Sequence, residues 1–140
     1  MSIQAVLLPL FVEVVLTFVL LYWMAYQRTS ALNAGEIEPR NVALREPNWP
    51  QRMTQVANAF QNQLELPVLF YVLTILSLIT RHADLVFVLL AWVFVVCRVV
   101  HAYIHVTSNN IRHRGLGFGV GALVLTIMWA IFMIRILLGI

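Results

Sequence analysis

Residues 85–106 read LVFVLLAWVFVVCRVVHAYIHV. At about 1.5 Å per residue, a helix of this length crosses the ~30 Å hydrocarbon core of a bilayer. Its strongly polar side chains are Arg98, His101 and His105. Their spacings of three and four put them on one helix face. A charge at the centre of a bilayer costs about 2.5–3.5 kcal/mol on insertion scales, and such residues mark functional sites by default.

A second ladder lies one segment earlier, at Asn58, Asn62 and Glu65, with spacings of four and three. The two segments meet at Thr80-Arg81-His82-Ala83-Asp84, a tight turn in which Asp84 suits the N-cap of the next helix. Depth can be counted from that turn. Glu65 lies 15 residues before Thr80 and Arg98 lies 14 after Asp84, so both sit roughly 21–22 Å down the hairpin. Asn62 then matches His101, and Asn58 matches His105. Three matched rungs favour a polar cavity that opens to the cytoplasm. The alternative is an interhelical polar zipper in which Glu65 neutralises Arg98 and Asn62 satisfies His101.

The rest of the chain agrees with a membrane assignment. Of 140 residues, 61% are hydrophobic and 11% charged, well outside the range of soluble domains. Apolar spans cover about 3–26, 64–80, 85–106 and 116–138. The expected fold is all-α: a single integral-membrane domain of four helices at about 3–26, 50–80, 84–108 and 114–139, with a loop at 27–49. The first span has no basic leader and no small-residue cleavage site, so it is expected to remain as a helix. Pro50 suits a helix start, and Pro67 is expected to kink an otherwise continuous second helix. Gly115, Gly117, Gly119 and Gly121 form two overlapping G-x-x-x-G pairs, which favour close helix packing. No strand or Walker lysine accompanies them, which argues against a phosphate loop. Cys97 is the only cysteine, which excludes an intrachain disulfide and reads as a buried, inert thiol.

All nine basic residues are arginine. Arg28, Arg40, Arg45 and Arg52 lie in or beside the first loop, and Arg112 and Arg114 in the third. The N-terminus has none and the second loop has only Arg81. This asymmetry predicts an integral-membrane protein with loops one and three cytoplasmic and both termini outside. The net charge of +3 therefore reads as topology, not as nucleic-acid binding. Arg28, Arg112 and Arg114 rim the cytoplasmic end and give it an anion-binding character.

Two other chemistries are open to these residues. His101 and His105, at i and i+4, could chelate a metal with Glu65 as a third ligand, but Arg98 would repel the cation, and no metal is expected. Glu13 lies mid-span in the first helix with no basic residue of that helix to answer it. It reads as a protonated or interface-paired carboxyl, or as the proton site of a small exporter; an exporter, however, predicts short loops and few cavity arginines.

Three stretches carry a family resemblance. They are Asn62-Gln63-Leu64-Glu65 followed by Pro67, Arg98-Val99-Val100-His101 with His105 four residues on, and Arg114-Gly115-Leu116-Gly117-Phe118. In order and depth they resemble the MAPEG superfamily, membrane-associated proteins of eicosanoid and glutathione metabolism. The chain is similar to a bacterial-type member related to its microsomal glutathione transferases and prostaglandin E synthases, and the likeness spans nearly the whole sequence. It implies a homotrimer with glutathione, as co-substrate, between neighbouring subunits near the cytoplasmic face. Asn62 and Glu65 would hold the peptide's backbone or amino group, with Asn58, His101 and His105 in the same pocket. Arg28 and Arg98 would take its carboxylates, and Arg114 would stabilise its thiolate, with Arg112 the alternative. The second substrate would be a lipophilic electrophile or hydroperoxide from the membrane lipid. Some members of the family bind lipids without catalysis. The chain departs from the family at His105, where a tyrosine is usual, at Phe118 in place of an aromatic hydroxyl, and at Asn58 and Gln61, where arginine is frequent.

Overall fold

Ser2 opens the first helix by accepting a hydrogen bond from the Ala5 amide at 3.2 Å, and the computed structural model describes all residues, 1–140. Helix α1 (Ile3–Asn33) continues well past the expected end at 26. The polar residues from Gln27 to Asn33 contain no proline or glycine, so nothing stops the helix until Gly35, which takes a left-handed φ of 75°. The first loop is correspondingly shorter than expected. It contains one 3₁₀ turn, Pro39–Asn41.

The expected continuous second helix is two helices. Helix α2 (Gln51–Asn62) and helix α3 (Leu66–Ile79) are separated at residues 63–65. Proline 67 has no amide to return to the Gln63 carbonyl, and its ring crowds that carbonyl. The chain responds one turn earlier by tightening to i−3 hydrogen bonds: Gln63 to Phe60 at 2.9 Å, Leu64 to Gln61 at 3.0 Å and Glu65 to Asn62 at 3.3 Å. The outcome is an interruption, not a kink.

Helix α4 (Leu85–Val106) starts at Asp84, whose carboxylate accepts from the Phe87 amide at 3.0 Å. Helix α5 (Ile111–Leu138) starts three residues before the expected 114, because the Asn110 side chain accepts from the amides of Arg112 and His113. It ends at Gly139 in the left-handed region.

Together α2 and α3 make one span, so four helical spans are long and apolar enough to cross a membrane. There is no strand, and the protein is a multi-pass membrane protein. Helix α5 packs chiefly along α4, and α1 packs on α2, α4 and α3. Gly117 and Gly121 provide the α4–α5 contact. A Cβ built at Gly121 would lie 3.5 Å from the Cys97 Cβ, and one at Gly117 would lie 3.7 Å from the His101 Cβ. Gly115 and Gly119 face open space.

The main core cluster joins Phe70, Leu73, Phe87, Val88, Ala91, Phe94, Val95, Leu125 and Met128 with Val6. A smaller one, Leu20, Ala59 and Ala102, lies toward the other end. Eight of the 26 buried residues are polar or charged, while large aliphatic side chains cover the outside. That distribution suits a lipid surround and points to the interior as the place of chemistry.

Candidate functional site

The interruption at residues 63–65 borders a space shared by α2, α4 and α5. A cleft of about 430 Å³ opens there, lined by Asn58, Gln61, Asn62, Glu65, His101, His105, Ile111, Arg114, Gly115 and Phe118. Six of the residues expected from the sequence share it: Asn58, Asn62, Glu65, His101, His105 and Arg114. The ladder faces are therefore assembled from α2, α4 and α5 rather than from one hairpin.

The rungs pair differently from the expected matching. Arg98 is fully buried behind the cleft. Its Nη2 donates to the Asn62 side-chain oxygen, and to the Asn62 carbonyl at 3.3 Å. Asn62 in turn donates through Nδ2 to Glu65 Oε1 at 3.4 Å. Glu65 and Arg98 make no ion pair; the two in the chain are Arg40–Glu38 and Arg135–Asp84. Depth counting places Cα atoms, but the residues between Asn62 and Leu66 do not advance as helix, and a guanidinium reaches well away from its own level.

His101 and His105 are buried side by side, ring centroids 5.4 Å apart and nearly perpendicular. Neither Nδ1 has a partner within the chain. Phe118 closes the wall 5.9 Å from the His101 ring. Arg114, which lines the cleft, is tied by Nη1 to Asn109 Oδ1 at 2.6 Å, which anchors one side of its guanidinium and leaves its other donors unpaired within the chain. Asn109 takes a left-handed φ of 51°, which asparagine tolerates. Two adjacent asparagines thus divide the work: Asn110 caps α5 and Asn109 holds Arg114.

Arg28 and Arg112 lie elsewhere. Arg28 stacks over the Trp49 ring at 5.1 Å and lines an adjoining hollow with Arg45 and Glu46. That hollow shares Asn58 and Gln61 with the main cleft. Arg112 is exposed at the start of α5 and lines neither space.

Four lining residues lay outside the sequence-based set: Gln61, Ile111, Gly115 and Phe118. Helical spacing signals Gln61, which is three after Asn58 and four before Glu65. The same spacing joins Ile111, Arg114, Gly115 and Phe118 on one face of α5. Gln55 was missed as well. It is buried and donates from Nε2 to the carbonyls of His105 at 3.3 Å and Thr107 at 3.2 Å, clamping α2 to the end of α4.

The cleft offers a carboxylate (Glu65), carboxamides (Asn58, Gln61, Asn62), two imidazoles and a tethered guanidinium. This set suits a zwitterionic peptide with an ammonium, amide groups and an anionic end. The model of the MAPEG family matches residues 6–134. No curated protein and no solved structure matches the chain.

Proposed function

We propose that this chain, which belongs to the MAPEG family, binds glutathione in the α2–α4–α5 cleft and directs its thiolate at lipophilic electrophiles or hydroperoxides. The observation that carries the reading is the gathering of Asn58, Asn62, Glu65, His101, His105 and Arg114 around one cleft, with Arg114 held by a neutral asparagine and not by a carboxylate. A guanidinium without an internal counter-charge is available to an anionic ligand group.

Glu65 takes the peptide's ammonium, and Asn62 and Asn58 take its amides. Arg114 faces the sulfur. A nearby cation lowers a thiol pKa from ~8.5 toward neutrality, and the thiolate is the attacking species. In conjugation the thiol proton passes to water, the sulfur pair forms a bond to carbon, and the leaving group departs with its own pair. With a hydroperoxide, two glutathione molecules become a disulfide as the O–O bond yields alcohol and water. Arg112 is the alternative thiolate partner only if the start of α5 turns. Arg28, in the adjoining hollow, serves a carboxylate of a ligand that extends past Asn58, or one bound against a neighbour in a homotrimer. The arginine distribution supports an inner-membrane topology with residues 34–50 and 107–110 cytoplasmic, which reporter fusions at each loop test.

Purified protein in detergent is expected to conjugate glutathione to 1-chloro-2,4-dinitrobenzene. Arg114→Ala should reduce the rate on the order of 10²–10³-fold, with folding and assembly retained. An unchanged rate removes Arg114 from the chemistry.

Phe118 favours a second reading. It presents a bare ring where a hydroxyl could otherwise stabilise sulfur, so the protein would bind the thiol peptide or a lipid without turnover. In that case glutathione titration gives binding but no rise in thiolate ultraviolet absorbance.

A further inference from the structure

Glu13 lies on the buried stripe of α1, in series with Val6, Pro9 and Leu20, and is fully buried. Neither of its carboxylate oxygens has a hydrogen-bond partner in the chain. Thr17 donates to the Glu13 carbonyl at 3.0 Å and so serves the backbone, not the carboxylate. Across the bundle, Arg98 spends only Nη2 on Asn62, and its Nε and Nη1 are unpartnered. The Tyr71 hydroxyl, on α3, is likewise without a hydrogen-bond partner in the chain. Glu13 lies between Val12, packed on the main core cluster, and Leu16, packed on the smaller one, while Arg98 lies between Val95 of the main cluster and Ala102 of the smaller one, so α1 and α4 bring a carboxylate and a guanidinium to one level of the interior.

A buried charge needs an opposite charge nearby. Two carboxylates could serve Arg98. Glu13 lies in the interior at the level of Arg98, where charges are weakly screened. Glu65 is exposed in the cleft, and its carboxylate accepts a hydrogen bond only from Asn62.

We propose that Glu13 is a positioning residue: from the bundle interior its carboxylate neutralises Arg98 and holds the guanidinium toward Asn62, which leaves Glu65 free for a cationic group of the ligand. The ligand part of this inference rests on the glutathione reading above. The two carboxylates have separate tasks. One stabilises the protein's own arginine, and the other recognises an ammonium.

Two thermal double-mutant cycles on the full chain in detergent, without ligand, decide which carboxylate serves Arg98. Glu13→Gln is expected to lower the unfolding midpoint by about 5 °C. It should lower it no further in an Arg98→Gln background. Glu65→Gln and Arg98→Gln should instead be additive. Coupling of Glu65 with Arg98, and additivity of Glu13, would overturn the assignment. Glutathione titration tests the positioning role. Glu13→Gln should weaken binding about tenfold, with most of the affinity restored by Glu13→Asp, which keeps the charge. Unchanged affinity in Glu13→Gln would reduce Glu13 to a structural residue and overturn the proposal. Failure of the parent protein to bind glutathione overturns the functional reading, and the thermal cycles still decide the Glu13–Arg98 pairing.

Discussion

The two ends of the bundle treat their polar groups in opposite ways. At the end formed by residues 80–84, Thr80, His82, Asp84 and Arg135 find partners. Asp84 accepts from the Phe87 amide and from Arg135 Nη1 at 2.8 Å, the Thr80 hydroxyl donates to the Leu76 carbonyl, and the main apolar core lies directly beneath. At the opposite end the core thins to Leu20, Ala59 and Ala102, and His101, His105 and Arg98 keep unpartnered nitrogens. Paired polar groups stabilise an end, whereas unspent donors and acceptors leave bonding capacity for a ligand. Stability and recognition are separated along the helix axes, and substitutions at the two ends should separate in the same way.

Phe94 belongs to the satisfied half. It is fully buried and its ring lies 4.9 Å from Phe70. Phe94→Ala is expected to cost about 3–5 kcal/mol, read as a lower midpoint in thermal unfolding. Glutathione affinity, measured where the variant is still folded, should be retained. A matching loss of affinity would show that the two halves are coupled.

Pro67 stands between the halves. Pro67→Ala supplies the missing amide to Gln63 and removes the ring clash, so α2 and α3 should merge. Distances between spin labels placed at Gln51 and Ile79 would report the straightening. Glu65 would then leave the cleft wall, and glutathione binding should weaken on the order of tenfold, with stability held or improved. A straight helix with unchanged affinity would mean that Glu65 does not need the break.

The smallest effect belongs to the Asp84 clasp. Hydrogen bonding from the Phe87 amide first, and then from Arg135, holds the Asp84 carboxyl below its ordinary value. A carboxyl lowered by folding adds stability above the unfolded value, about pH 3.9. That stability is lost as pH falls through the lower, folded value. The group is nearly half exposed, so solvent screening limits the contribution to about 1 kcal/mol or less. The midpoint of Asp84→Asn should fall slightly short of the parent at neutral pH and converge with it in acid. Divergence on acidification would contradict the clasp.

Much of this was legible from local pattern. The Asp84 cap follows from the preference of short acidic side chains for that position, and the apolar spans and the placement of Asn58 and Asn62 on one face follow from helical periodicity, because side chains at three and four residues must neighbour one another. Gln61 carried the same signal. The pairing of the rungs was not legible. A count of 1.5 Å per residue assumes helix throughout, and residues 63–65 break that assumption. Gln55 was hidden for another reason: its partners are the backbone carbonyls of His105 and Thr107, which no side-chain pattern displays.

Glu13 marks the boundary between the two kinds of information. The chain alone specifies that a carboxyl lies mid-way along an apolar helix, and that it must find a partner or a proton there. It does not specify which way the carboxyl points, because α1 is apolar around most of its circumference and local periodicity leaves its rotation undetermined. Packing of α1 against α3 and α4 sets that rotation. It brings Glu13 to the interior near Arg98, a residue 85 positions later in the chain, and leaves Glu65 in the cleft. Helix formation is governed by near neighbours, whereas the choice of counter-charge is governed by burial that only the assembled bundle creates.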